Sequence, residues 1–195
     1  FTQQNPQEIF AIRSEFSFGL DAFGATFNQQ IPGIEEIPDS RFFAWRGQGQ
    51  YVRLLAQDTL FVVRTNFQLT DRPLVPIEQF AIGGLGSVLG YRQDLLLTDS
   101  GFFASAEVRL PILQIPEWQE VLQIIPFVNY GVGWNINSAN PDPNNLASVG
   151  LGLLWRQGNN FSARLDWGIP LVDVESRDRT WQENGIYFTI QYTPF

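Results

Sequence analysis

Phe161-Ser162-Ala163-Arg164-Leu165-Asp166-Trp167-Gly168-Ile169 alternates with period two. Phe161, Ala163, Leu165, Trp167 and Ile169 share one face, while Ser162, Arg164, Asp166 and Gly168 share the other. Side chains of a β-strand point alternately to opposite sides, so this stretch is a strand with one apolar and one charged face. The pattern recurs. Residues 9–20 set Phe10, Ile12, Phe16, Phe18 and Leu20 against Arg13 and Glu15. Residues 60–70 set Phe61, Val63, Phe67 and Leu69 against Arg64, Asn66 and Gln68. Residues 102–110 set Phe102, Val108 and Leu110 against Ser105, Glu107 and Arg109. Residues 122–136, 147–156 and 186–193 continue in the same way. Residues 42–55 are less regular: Phe43, Trp45 and Tyr51 face one way and Arg46, Gln48 and Gln50 the other, but Arg53 breaks the parity. A bulge or the end of the strand is expected there.

In the seven regular strands the apolar face carries no charge, whereas the other face carries Arg, Glu and Asp freely. Lipid enforces this asymmetry, because a basic side chain facing the bilayer midplane costs about 2–4 kcal/mol. A soluble β-sandwich also alternates, but its strands are shorter, typically about 5–6 residues. Several runs here reach the roughly 9–11 residues that a tilted membrane strand needs. The connections alternate in length. Residues 21–41, 71–101, 137–146 and 172–184 are long, 56–59 and 157–160 are tight, and 111–120, with Pro111 and Pro116, is intermediate. Membrane barrels have short periplasmic turns and long external loops, which places the tight turns and the chain end on the periplasmic side. The expected fold is all-β: an antiparallel transmembrane β-barrel contributing eight strands. Inward glycines (Gly131, Gly133, Gly150, Gly152, Gly168) cannot fill a closed eight-stranded interior, so an open curved sheet is expected.

Composition agrees. Aromatic residues make up 14% of the 195 residues although mean hydropathy is only -0.08, because lipid-facing and lumen-facing residues cancel. No run is apolar for the roughly 20 residues of a membrane helix. Cys and His are absent, which removes disulfides, thiolate metal sites and Ser-His catalysis. No metal and no cofactor is expected. The net charge of -8 argues against nucleic acid as a partner. With no Met, the chain reads as a fragment or a processed product. Glu107, Arg109, Arg164 and Asp166, with Arg64, are expected as lumenal charges paired across strands, Arg156 among their partners, rather than as an acid/base set. Trp134, Trp155 and Trp167 are expected in interfacial aromatic belts.

Residues 80–92, in the long loop, read Phe-Ala-Ile-Gly-Gly-Leu-Gly-Ser-Val-Leu-Gly-Tyr-Arg, and Glu107-Val108-Arg109-Leu110-Pro111 lies in the strand that follows. Four glycines in eight residues could be turn chemistry alone. Together with the Glu-x-Arg-x-Pro strand, however, the loop resembles the two-partner-secretion transporters of the ShlB/FhaC/HecB type. These belong to the superfamily of outer-membrane assembly and translocation barrels. The resemblance implies a 16-stranded barrel whose sixth external loop folds into the lumen, with this chain supplying strands nine to sixteen. It implies an outer-membrane pore for a secreted polypeptide, with periplasmic domains N-terminal to the chain. It also implies a C-terminal signal for the barrel-assembly machinery, carried here by Phe188, Ile190, Tyr192 and Phe195. The loop motif maps onto Gly83, Gly84, Gly86, Val88, Leu89, Gly90, Tyr91 and Arg92.

Two positions depart from the family pattern. Its loop arginine is Leu89 here, and the aspartate it pairs with, in a Phe-x-Asp-x-Gly strand, is Asn129 between Phe127 and Gly131. Losing both charges avoids the roughly 3–5 kcal/mol of leaving one buried and alone. The loop is then expected to dock with Val88-Leu89-Gly90-Tyr91 near Phe127, Asn129 and Gly131. Leu89 should pack on apolar wall atoms, Asn129 should find a neutral partner, and Tyr91 and Arg92 should hold the loop. An insertase of the same superfamily, and a self-contained small barrel, remain alternative readings of the sequence.

Overall fold

The computed structural model describes residues 1–20, 28, 37–174 and 184–194. The strands are β1 (Thr2–Gln4), β2 (Glu8–Phe18), β3 (Phe43–Ala56), β4 (Thr59–Thr70), β5 (Phe80–Ile82), β6 (Leu96–Thr98), β7 (Ser100–Ile115), β8 (Glu120–Trp134), β9 (Asn145–Gln157), β10 (Phe161–Pro170) and β11 (Ile186–Tyr192). Nine form one antiparallel sheet in the order β1-β2-β3-β4-β7-β8-β9-β10-β11, and β5 and β6 form a separate hairpin. The sheet does not close: β2 pairs with β1 and β3, and β11 pairs with β10 alone among the described residues. β7, β8 and β3 run 16, 15 and 14 residues, long enough to cross a bilayer obliquely.

The two faces follow the period-two reading. Phe16, Val128, Leu151, Leu165 and Phe188 point to the convex side and are 57%, 48%, 48%, 49% and 76% exposed. Phe67 lies on the same side, half-buried beneath Trp45 with ring centroids 4.9 Å apart. Residues of the opposite parity, from Arg13 on β2 to Gln191 on β11, surround one cavity of about 770 Å³, so that face is concave. Among the described residues, strand charges of convex parity are Glu8, Arg53 and Glu120, all at the short-turn rim. Glu8 lies opposite Arg53 and accepts a hydrogen bond from the Tyr51 hydroxyl. That position, at interface level, explains why Arg53 breaks parity. The strand neither bulges nor ends there; its register shifts just beyond, between Leu54 and Ala56.

The strand count and several boundaries differ from the sequence reading. β1 is a ninth strand of the sheet; Thr2-Gln3-Gln4 has no apolar alternation to announce it. The stretch 111–120 is mostly strand, since β7 continues through Pro111 to Ile115 and only 116–119 turn. Pro111 is tolerated because the ladder shifts register between Pro111 and Leu113, where an N–H is not required. Finally, the loop of 71–99 is not irregular throughout, because it carries the β5–β6 hairpin.

Candidate functional site

The long loop lies on the concave wall, and each of its parts has a distinct fastening. At its base Arg46 of β3 forms a 2.6 Å salt bridge with Glu78, and its Nε donates to Gln68 Oε1. The buried Gln68 amide donates onward to the backbone carbonyls of Glu78 and Asp99. The Asp99 carboxylate accepts from the Leu74 amide, the Gln79 side chain and the Ile136 amide, so it ties the loop's two ends to the start of the next loop.

The hairpin fills notches in the wall. A Cβ on Gly101 would lie 2.3 Å from the Phe80 ring, one on Gly133 2.2 Å from Thr98, and one on Gly131 2.5 Å from Ile82 and 3.1 Å from Val88. Bare backbone is what allows β5 and β6 to lie flat there. Ile82, Val88, Tyr91, Leu96, Phe103 and Leu146 close into a buried apolar cluster between the loop and the wall. The tip turns back through Gly83 and Gly84, at φ of 118° and 82°, a region other residues rarely adopt. A Cβ on Gly86, which lines the cavity, would meet no atom within 4 Å.

Beyond Val88 the tip does not stay near Gly131. Leu89 and Gly90 lie on Gly168 of β10, two strands further along: a Cβ there would be 2.7 Å from both the Gly90 nitrogen and the Leu89 carbonyl carbon. Tyr187 of β11 holds the tip, its hydroxyl donating to the Tyr91 carbonyl at 2.6 Å and accepting from the Gly90 amide at 3.2 Å. The buried Tyr91 hydroxyl in turn lies 2.8 Å from the Ala147 carbonyl and accepts from the Val172 amide at 2.9 Å. Arg92 is exposed and forms no salt bridge among the described residues. Asn129 is buried and donates to Ser148 Oγ at 3.2 Å, a neutral partner from the wall rather than from the loop. Phe127 covers Gly150 opposite it. Gly168, Tyr187, Gln68 and Asp99 were not singled out from the sequence as loop anchors. Gly168 and Gln68 had one visible signal, their inward parity.

Between the tip and the short-turn end the wall changes character. Glu107, 3% exposed, accepts from Arg109 at 2.6 Å, Arg164 at 3.1 Å and Arg64 at 3.4 Å. Arg164 also grips the buried Asp166 at 2.8 Å. The five lumenal charges expected from the sequence therefore form one cluster. Arg156 is not part of it, and its Nε has no hydrogen-bond partner among the described residues. Glu107 is held by three wall arginines, so no loop cation is needed to neutralise it. The rest of the lining mixes amides, such as Gln48, Gln50 and Asn66, with hydroxyls and with apolar side chains such as Leu89, Phe127 and Leu154.

A loop with this motif, laid into the concave side of a membrane sheet, is what the family model for haemolysin secretion/activation protein ShlB/FhaC/HecB matches over residues 1–155. The chain belongs to that family. Its outer-membrane location comes with that membership. Two solved structures have the same fold. CdiB from Escherichia coli superposes with a TM-score of 0.76 at 20% identity, covering 98% of this chain and 34% of that one. CdiB from Acinetobacter baumannii gives 0.65 at 23% identity, covering 88% and 28%. This family member thus spans about a third of the length of the solved structures it resembles. No curated protein matches it.

Proposed function

We propose that residues 1–195 are the C-terminal part of an outer-membrane barrel that passes a secreted, extended polypeptide through its lumen. The concave face is the observation that carries this reading. Its cavity lining exposes polar groups, among them amides, hydroxyls and charged side chains, about as much as apolar ones, and one loop lies across it, held by a small apolar cluster and, at its tip, by neutral hydrogen bonds. Amides and hydroxyls lining the cavity suit a chain that must bind weakly and leave. No nucleotide or cofactor is needed for such passage. The neutral hydrogen bonds at the loop's tip are worth about 0.5–1.5 kcal/mol net each, which suits a tip that is displaced and returns, while the charged bonds at its base, at about 1.5–3 kcal/mol, keep the loop attached. Phe188 and Ile190 on the convex face of β11, with Tyr192 beside them, are the side chains a barrel-assembly signal would present; Phe195 lies outside the described residues. Periplasmic domains that select the substrate belong to the remainder of the protein.

Residues 1–195 contain no cysteine, so a cysteine introduced here is the single thiol of this part of the protein. In the full-length protein, Gln50→Cys or Asn66→Cys should lose secretion when treated with a bulky charged thiol reagent, because both line the cavity. Val128→Cys and Leu151→Cys, on the convex face, should be indifferent. Equal inhibition at both faces, or at neither, would contradict the reading.

A further inference from the structure

The concave wall is not uniformly polar. Four arginines that line the cavity, Arg64, Arg109, Arg156 and Arg164, face two carboxylates, Glu107 and Asp166. Arg13, the other cavity-lining arginine, has its own partner in Glu15. Two positive charges are therefore in excess at this spot, in a chain whose net charge is -8. Two of the four keep donor capacity to spare. Arg156 has no salt bridge, and its buried Nε has no hydrogen-bond partner among the described residues. Arg64 holds Glu107 only at 3.4 Å, with its side chain 49% exposed to the cavity. The arginines also have a definite height. Ile82 and Val88 of the loop cover Gly131 and its tip covers Gly168, near the long-loop ends of β8 and β10, whereas Arg156 and Arg164 lie toward the short-turn ends of β9 and β10.

We propose that this short-turn half of the concave face is a docking station for carboxylate side chains of an extended polypeptide. Arg156 supplies a guanidinium fork with no carboxylate partner, Arg64 one held only by its long contact to Glu107, and Arg109 and Arg164 are held in place by Glu107 and Asp166. Planar guanidinium groups match carboxylates with two parallel hydrogen bonds, and a partly desolvated wall strengthens them. An entering chain meets the station before it meets the loop tip. The proposal rests on reading the concave face as a polypeptide path, and it specifies which side chains that path retains.

The test is fluorescence anisotropy of short labelled Gly-Ser peptides carrying glutamates, lysines or neither, added to detergent-solubilised full-length protein. The glutamate peptide should bind at least about tenfold more tightly than the other two, and the difference should shrink in high salt. Arg156→Gln should weaken it about tenfold, equivalent to about 1.4 kcal/mol, and adding Arg64→Gln should bring it to the level of the neutral peptide. Arg72→Gln, which removes a positive charge from an exposed loop position, should change nothing. Equal binding of all three peptides, or glutamate binding that survives the double substitution, overturns the proposal. Secretion is scored separately in the same variants. A protein that prefers the glutamate peptide but exports nothing keeps the station and loses the pore, whereas export without preference does the reverse.

Discussion

Gly168→Ala should lift the loop tip off the wall without disturbing the sheet. A Cβ at this position would lie 2.7 Å from the Gly90 nitrogen and the Leu89 carbonyl carbon and 2.9 Å from Leu89 Cβ. All three are backbone or near-backbone atoms, so no rotamer change relieves the overlap. The tip must retreat by roughly 0.8 Å to reach an ordinary contact near 3.5 Å. The Gly90 amide is already 3.2 Å from the Tyr187 hydroxyl, the long end of the normal range, and a retreat breaks that bond. Overpacking of this kind costs about 1–3 kcal/mol, and one lost hydrogen bond adds about 0.5–1.5 kcal/mol. Taking 2 kcal/mol, amides at 84–92 that exchange by loop opening should exchange roughly 30-fold faster in hydrogen–deuterium exchange of the full-length protein. Amides of β9 and β10 should keep their protection, since their ladder is untouched. Gly86→Ala is the control, because no atom lies within 4 Å of its Cβ position. If Gly168→Ala and Gly86→Ala exchange alike, the tip is not held where Gly168 places it.

Further outcomes follow from the same contacts. Tyr91→Phe leaves the Val172 amide and Ala147 carbonyl without their phenol and should destabilise the docked loop by about 1–3 kcal/mol, read by the same exchange experiment; Tyr187→Phe should act in the same direction. Leu89→Arg combined with Asn129→Asp should slow exchange of the loop, while Leu89→Arg alone should not, because a lone cation has no carboxylate at Asn129 to meet. Glu107→Gln removes the anion that three arginines share and should cost about 3–5 kcal/mol, seen as a lower unfolding temperature in gel-shift assays of the folded barrel. Arg64→Gln should cost far less, since its contact is long and half-exposed.

The membrane sheet was legible because lipid imposes a strict rule on one face, and sequence records that rule as alternation without charge. The parity of Phe161 to Ile169 suffices to orient Arg164 and Asp166 inward, and Asn129 and Gly131 follow in the same way. What could not be read has equally physical causes. β1 is polar on both sides, so it leaves no alternation. Pro111 looks like a loop residue unless the register shift beside it is known. Phe103, Ile125, Phe127 and Leu154 are buried apolar residues on the wet face. Phe103 blurs the alternation because it packs against the loop, a contact between segments distant in sequence. The loop motif implied docking on the inner wall, but the choice of Gly168 over Gly131 for the tip depends on how far the β5–β6 hairpin reaches before it turns. Nothing in residues 83–92 encodes that distance.

The most direct measurement is photocrosslinking of a polypeptide stalled in export through the full-length protein. A benzophenone amino acid placed at Gln50, Asn66 or Gln191, all lining the cavity, should capture the stalled chain. The same probe at Val128, Leu151 or Leu165 should capture none, because those side chains point to the convex side. Capture only from the convex positions, or from neither set while export is demonstrably stalled, would contradict the account.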